Sequence, residues 1–237
     1  MALPVLNEVP QNELVIPSTE QKAKFRPFLV KEQKVLLIAY ESRDPKQIMD
    51  ATMNCISSCV QGLDVSKLAT FDVDYIFTQI RSKSVGESTE VISKCTSCEH
   101  ENEVKIDLSE IQLNDINRDY IIPITDTVNI KMKYPTYHDI ITNDEILSEN
   151  ALNTERLFSS IKICLDSVMT NEENISLKDE SPEEVERFMN SLTNEQFDKI
   201  THFVDGIPKL KYEKNFKCQK CQSDNTIKVE GLQDFFS

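Results

Sequence analysis

The chain has 237 residues, with 40 acids against 26 bases and a formal net charge of −14 at neutral pH. That acid excess argues against nonspecific binding to phosphate backbones. At 39% hydrophobic and 28% charged residues the composition is that of an ordinary soluble globular protein, and no run approaches the roughly 18 apolar residues that cross a bilayer.

Residues 1–20 are punctuated by Pro4, Pro10 and Pro17 and read as an extended N-terminal arm. Leu3, Val5, Leu6, Val9, Leu14, Val15 and Ile16 make it too apolar for a simple disordered tail, so it should lie on a partner or on its own domain. Residues 21–90 read as a strand followed by helices. The run at 35–40 is short, apolar and bounded by polar residues, which predicts a buried strand. Asp44-Pro45 supplies a cap and a first-turn proline. Ile48, Thr52, Cys55, Ile56, Cys59 and Val60 then follow helical spacing, and Gly62 stops the helix. Cys55 and Cys59 lie four apart, a usable ligand spacing, but their apolar neighbours favour a core role. A second helix is predicted over 72–83, with Val73, Ile76, Phe77 and Ile80 as its stripe.

Two C-x-x-C pairs follow, far apart in sequence: Cys95-Thr96-Ser97-Cys98 and Cys218-Gln219-Lys220-Cys221. Each is flanked by strand-like segments, residues 103–108 after the first and 226–232 after the second. Four cysteines delivered this way match the ligand count of a tetrahedral structural zinc site. The competing possibility is a redox dithiol, but such a motif ordinarily opens a helix after a strand. Here each pair runs into polar residues and then an alternating pattern. The expectation is a zinc ribbon of two distant hairpins, with ligands Cys95, Cys98, Cys218 and Cys221. Residues 91–134 and 207–237 form the ribbon and its associated strands, and everything between the hairpins is an insertion whose ends the metal ties together. Seven cysteines, an odd number and mostly in such pairs, point to a reducing compartment. The N-terminus also lacks the basic region and apolar core of a signal peptide.

Residues 120–124 and 128–134 read as two strands joined by a turn at Thr125-Asp126-Thr127. Residues 135–206 read as an acidic helical insertion, with helices over 136–146, 154–169, 182–191 and 194–204. Ser181-Pro182-Glu183-Glu184 and Thr193-Asn194-Glu195-Gln196 supply capping patterns for the last two. Cys164 sits on the apolar stripe of the 154–169 helix and reads as core. Residues 139–195 hold 14 acids and 4 bases. Lys209, Lys211, Lys214, Lys217 and Lys220 form a basic strip, either a contact for an acidic or nucleic-acid partner or, as favoured here, a solvated strand edge. Phe235 and Phe236 should dock rather than remain in water.

No catalytic constellation emerges. His100, His138 and His202 have no nucleophile motif beside them. The four glycines, Gly62, Gly86, Gly206 and Gly231, are isolated, so no phosphate-cradling loop can be built. His100 could stand in for a thiolate, but four cysteines already fill the site.

Several blocks carry a family resemblance. They are Lys24-Phe25-Arg26-Pro27-Phe28-Leu29-Val30 running on to Val35-Leu36-Leu37-Ile38-Ala39, and Asp74-Tyr75-Ile76-Phe77-Thr78-Gln79-Ile80-Arg81 running on to Gly86-Glu87. The two C-x-x-C hairpins, Ile207-Pro208-Lys209-Leu210 and Gly231-Leu232-Gln233-Asp234-Phe235-Phe236 complete the set. From about residue 20 to the end the chain resembles the baseplate hub subunits and hub assembly proteins of T4-like contractile-tailed bacteriophages. The resemblance implies a viral protein made in the host cytoplasm, either resident in the virion or acting transiently as an assembly factor or chaperone. Its partners would be other tail and baseplate hub proteins. It supplies no catalytic residues, and the zinc ligands rest on spacing alone. The expectation is an α+β chain, mainly helical with a small four-cysteine zinc ribbon, that is not an enzyme and takes no small-molecule substrate, nucleic acid or membrane. The competing function is a zinc-ribbon nucleic-acid-binding or transcription-regulating protein.

Overall fold

The computed structural model describes residues 9–113, 116–117, 120–148 and 150–231. The chain divides into two compact units, one of residues up to 116 together with those from 208 on, the other of residues 117–207. It is mixed helix and sheet, as the sequence predicts.

The first unit opens with strands β1 (Asn12–Val15) and β2 (Lys22–Phe25), paired antiparallel. Leu14, Ile16 and Phe25 are buried there, so the described part of the N-terminal arm lies on its own unit. The Ser18 N–H donates to the fully buried Asp72 carboxylate at 2.9 Å, tying the hairpin to helix α3 (Thr70–Ser84) across a long stretch of sequence.

The apolar run at 35–40 is not a buried strand. It lies inside helix α1 (Val30–Ser42). Leu36 and Ala39 point inward, while Val35, Leu37 and Ile38 stand in solvent. Burial repeating at three rather than two is the helix signature. The start explains the choice: the Glu32 carboxylate accepts from the Leu29 N–H at 2.8 Å and from Arg26 Nη2 at 2.9 Å, so the first turn is closed from its own third residue. Helix α2 (Pro45–Cys59) begins as predicted, with Asp44 accepting from the Lys46 N–H. Cys55 and Cys59 are buried on its inner face with Ala51, Thr52 and Ile56, which is the core role. Helix α3 buries Val73, Ile76, Phe77 and Ile80, the predicted stripe.

Strands β3 (Ser88–Lys94) and β4 (Glu101–Asp107) form the first C-x-x-C hairpin. The hairpin ends at Asp107. A single 3-10 turn, Leu108–Glu110, redirects the chain into a short strand β5 (Gln112–Leu113).

The second unit is a four-stranded antiparallel sheet with helices. In chain order it contains β6 (Ile121–Pro123), β7 (Val128–Met132), α4 (Tyr137–Ile141), α5 (Asp144–Leu147), α6 (Asn153–Cys164), β8 (Leu165–Thr170), β9 (Asn174–Ser176), α7 (Pro182–Asn190) and α8 (Asn194–Asp205). The sheet order is β6-β7-β8-β9. The region is therefore less helical than the sequence implies. The predicted 136–146 helix is broken by Asn143, whose side chain caps α5 by accepting from the Ile146 N–H. The predicted 154–169 helix stops at Cys164 and becomes the strand β8, held between β7 and β9. Helices α7 and α8 start on the predicted caps, Ser181 and Thr193. Ile122, Ile130, Met132, Ile161, Met189, Ile200 and Phe203 make the core. Phe203 meets Tyr120 and Tyr134 at ring-centroid distances of 4.7 and 5.5 Å.

The chain then returns to the first unit as β10 (Leu210–Lys217) and β11 (Asp224–Glu230), the second C-x-x-C hairpin. Leu210 and Lys211 pair with Leu113 and Gln112, so β5 joins this sheet as its third strand. The two hairpins share a core in which Val104, Ile106 and Leu108 meet Leu210, Tyr212, Ile227 and Val229. Phe235 and Phe236 lie outside the described residues, as do Leu3, Val5 and Leu6.

Candidate metal centre

Each C-x-x-C occupies the turn of its hairpin, and the two turns have the same backbone. The Cys95 N–H donates to the His100 carbonyl and the Glu99 N–H to the Cys95 carbonyl, both at 2.9 Å. In the other hairpin the Cys218 N–H donates to the Ser223 carbonyl and the Gln222 N–H to the Cys218 carbonyl, both at 3.0 Å. Glu99 and Gln222 both adopt left-handed backbone, with φ of 57° and 60°. This is the local price of turning the chain tightly enough to aim two cysteine side chains at one point. In the first turn the Ser97 N–H also approaches Cys95 Sγ at 3.4 Å.

The four sulfurs converge. All lie within 4.8 Å of one another. Cys95 Sγ is 3.6 Å from Cys221 Sγ, and Cys98 Sγ is 3.7 Å from Cys218 Sγ. Those separations are far longer than the ~2.05 Å of a disulfide, and all four cysteines are free. They match the ~3.8 Å edge of a tetrahedron whose sulfurs sit ~2.3 Å from a central zinc. The donor set and its spacing therefore fit a single tetrahedral ion. Among the described residues this is the group able to hold a metal, and His100 is not a member of it.

The electrostatics favour thiolate at two of the four sulfurs, Cys95 and Cys221. The Ser223 hydroxyl lies 3.3 Å from Cys95 Sγ and 3.0 Å from Cys221 Sγ and can give its one proton to either sulfur, favouring the thiolate there. That contact, aided by the N–H groups of Ser97 and Cys98, holds the Cys95 thiol down at about 5. The same hydroxyl lowers Cys221. Cys98 goes the other way, to about 12: the His100 N–H favours its thiolate, but burial and the hydrogen bonds Cys98 makes with Cys221, Cys218 and Cys95 outweigh it. Four sulfurs this close cannot all ionise with no cation among them. A bound dication would remove that conflict, and a full set of four thiolates would leave it no open position for water or substrate.

Two side chains that the sequence pattern did not single out complete the site. Asn102 and Asn225 each follow the first cysteine of their hairpin by seven residues, and both are buried. The Asn102 Oδ1 accepts from the Gln219 N–H at 2.8 Å, and the Asn225 Oδ1 accepts from the Thr96 N–H at 2.9 Å. In an alternating strand a polar residue reads as outward-facing, which hides them. The shared C-x-x-C-x-x-x-N spacing was the available signal.

The remaining candidates do not gather into a site. Cys164 is fully buried in the second unit, where burial pushes its thiol up to about 12. His202 lines a groove of about 670 Å³ with Tyr120, Ile121, Asp198 and Lys199, among whose described lining residues there is no serine or cysteine. The basic strip is partly spoken for: Lys211 pairs with Glu230 at 3.5 Å, and Lys214 Nζ donates to the Lys105 carbonyl on the first hairpin at 2.8 Å. No described helix is long and apolar enough to cross a membrane.

A family profile described as T4 bacteriophage base plate protein matches residues 9–237. The chain belongs to that family. No curated protein and no solved structure matches it. Membership supports a structural or assembly role in a phage baseplate, and the match takes in both units of this baseplate-family chain and both C-x-x-C hairpins.

Proposed function

We propose that the chain is a non-enzymatic component or assembly factor of the baseplate hub of a contractile-tailed phage, made in the host cytoplasm and working through contacts with other tail proteins. The observation that carries this is the baseplate family match over residues 9–237. Its sulfur cluster is a structural zinc site of the ribbon type, with Cys95, Cys98, Cys218 and Cys221 as ligands. The closed donor set supports that role over a catalytic one. The metal's place is at the far ends of the two hairpins. The root of the inserted unit is held differently, by backbone pairing of β5 with the start of β10. Cys218 follows the other end of β10, about 23 Å away at ~3.3 Å per residue. The zinc thus fixes one hairpin against the other rather than clasping the ends of the insertion.

The test is to tag the chain in its phage and follow it through infection by gradient sedimentation and mass spectrometry. It is expected to co-sediment with hub proteins in tail intermediates. Recovery as a free monomer at every stage, absent from both intermediates and purified virions, would sink the proposal.

A further inference from the structure

Asn102 and Asn225 form a reciprocal pair. Asn102 sits on β4 of the first hairpin, opposite Ser93, and Asn225 on β11 of the second, opposite Phe216. Each amide splits its work. The Asn102 Nδ2 donates to the carbonyl of His100 in its own turn at 2.8 Å, and the Asn225 Nδ2 to the carbonyl of Ser223 in its own turn at 2.9 Å. The oxygens cross over. Asn102 Oδ1 takes the N–H of Gln219, the residue after Cys218, while Asn225 Oδ1 takes the N–H and the hydroxyl of Thr96, the residue after Cys95. Each hairpin therefore fixes the backbone next to the first cysteine of the other. The exchange is not fully symmetric: Asn225 Nδ2 also reaches Cys95 Sγ at 3.5 Å. Asn102 and Asn225 are 1% and 6% exposed, so neither amide has water as an alternative partner.

We infer that Asn102 and Asn225 are the positioning residues of the four-sulfur site, each setting the ligands contributed by the opposite hairpin. This rests on the zinc assignment above. An ordinary hairpin-to-hairpin tie could have been placed anywhere along β4 and β11. Instead both ties land on the residue following a first cysteine, at matched positions in two segments remote in sequence. Groups that orient ligands from outside the metal's own shell typically control affinity by 10- to 100-fold.

The test uses the full chain, stripped and reloaded, with Asn102→Ala and Asn225→Ala, and Asn102→Ser and Asn225→Ser as milder versions should an alanine variant fail to fold. Zinc affinity is measured by competition with a chromophoric chelator, ligand geometry by the absorption of bound cobalt(II), and backbone amide exchange by NMR or mass spectrometry. The inference predicts zinc binding weakened about 10- to 100-fold in each variant, more for Asn225→Ala, with an altered cobalt spectrum. It also predicts a crossed pattern: faster exchange at Gln219 when Asn102 is lost, and at Thr96 when Asn225 is lost. Affinities within twofold of wild type together with an unchanged cobalt spectrum would overturn it while leaving the zinc assignment standing. A wild-type chain that takes up neither zinc nor cobalt would overturn the zinc assignment itself, and this inference with it.

Discussion

Glu32 is a carboxylate only 7% exposed, and it survives there because three groups hold it. Arg26 Nη2 lies at 2.9 Å, the Leu29 N–H at 2.8 Å, and Lys31 Nζ at 3.5 Å. Burial alone would push its pKa up. The hydrogen bonds from Arg26 and Leu29 and the Arg26 charge outweigh it and hold the carboxyl below its ordinary range. A folded pKa below the unfolded value of about 4.3 means that stability is present above that pH and is lost as pH falls through the folded value. Glu32→Ala leaves Arg26 half-sequestered without its partner and removes the closure of the first turn of α1. The expected cost is about 3 kcal/mol in urea unfolding at pH 7, shrinking at pH 3, below the unfolded value, where the unfolded chain takes up the proton and the advantage of the folded carboxylate is reduced. An equal cost at both pH values would mean that the side chain packs rather than pairs. Asp72 shows the opposite case: fully buried, it accepts from the Ser18 N–H at one oxygen, its other oxygen has no hydrogen-bond partner among the described residues, and burial raises its pKa.

The helix α1 shows where local pattern and tertiary outcome part. Its apolar run was legible as a strand because five of its six residues are apolar. Yet Ile38 is 55% exposed and Leu36 is 6% exposed, the contrast of a helix with one inward face. Ile38→Glu is therefore expected to change stability by no more than about 0.5 kcal/mol, whereas Leu36→Ala should cost about 2–5 kcal/mol. A buried strand would be expected to make Ile38→Glu the more damaging of the two. Where the chain carries its own start signal, the sequence was sufficient: Asp44-Pro45, Ser181-Pro182 and Thr193 each cap the helix they predict. It failed at β8, because Leu165 and Val168 continue the spacing of Leu157, Phe158 and Ile161. Only the neighbouring strands β7 and β9 make the extended conformation the better one. The strand β9 is three residues long, too short to announce itself by periodicity. The convergence of the four cysteines was legible because each C-x-x-C pair is local in sequence. Asn102 and Asn225 were not, because their partners lie across the site.

At the scale of the molecule, closure happens twice, at opposite ends of the same hairpins. The β5–β10 pairing closes the root from which the 117–207 unit departs. The sulfur cluster closes the far end, and between them lies the apolar contact of Val104 and Ile106 with Tyr212, Ile227 and Val229. The second unit has its own core around Ile130, Ile161, Ile200 and Phe203 and, among the described residues, contributes none to the sulfur cluster. Its acidic stretch, 14 acids against 4 bases over residues 139–195, carries most of the chain's net negative charge. With zinc held by the four cysteines as proposed, its loss should be felt locally. The direct measurement is hydrogen exchange by mass spectrometry on the zinc-loaded full chain and on the chelator-stripped chain, with Cys95→Ser as a genetic counterpart. Stripping and Cys95→Ser are both expected to remove protection from the metal-proximal ends of β3, β4, β10 and β11, while α6, α7 and α8 exchange as before. Unchanged protection in the hairpins, or an equal loss across both units, would contradict a metal that joins one hairpin to the other.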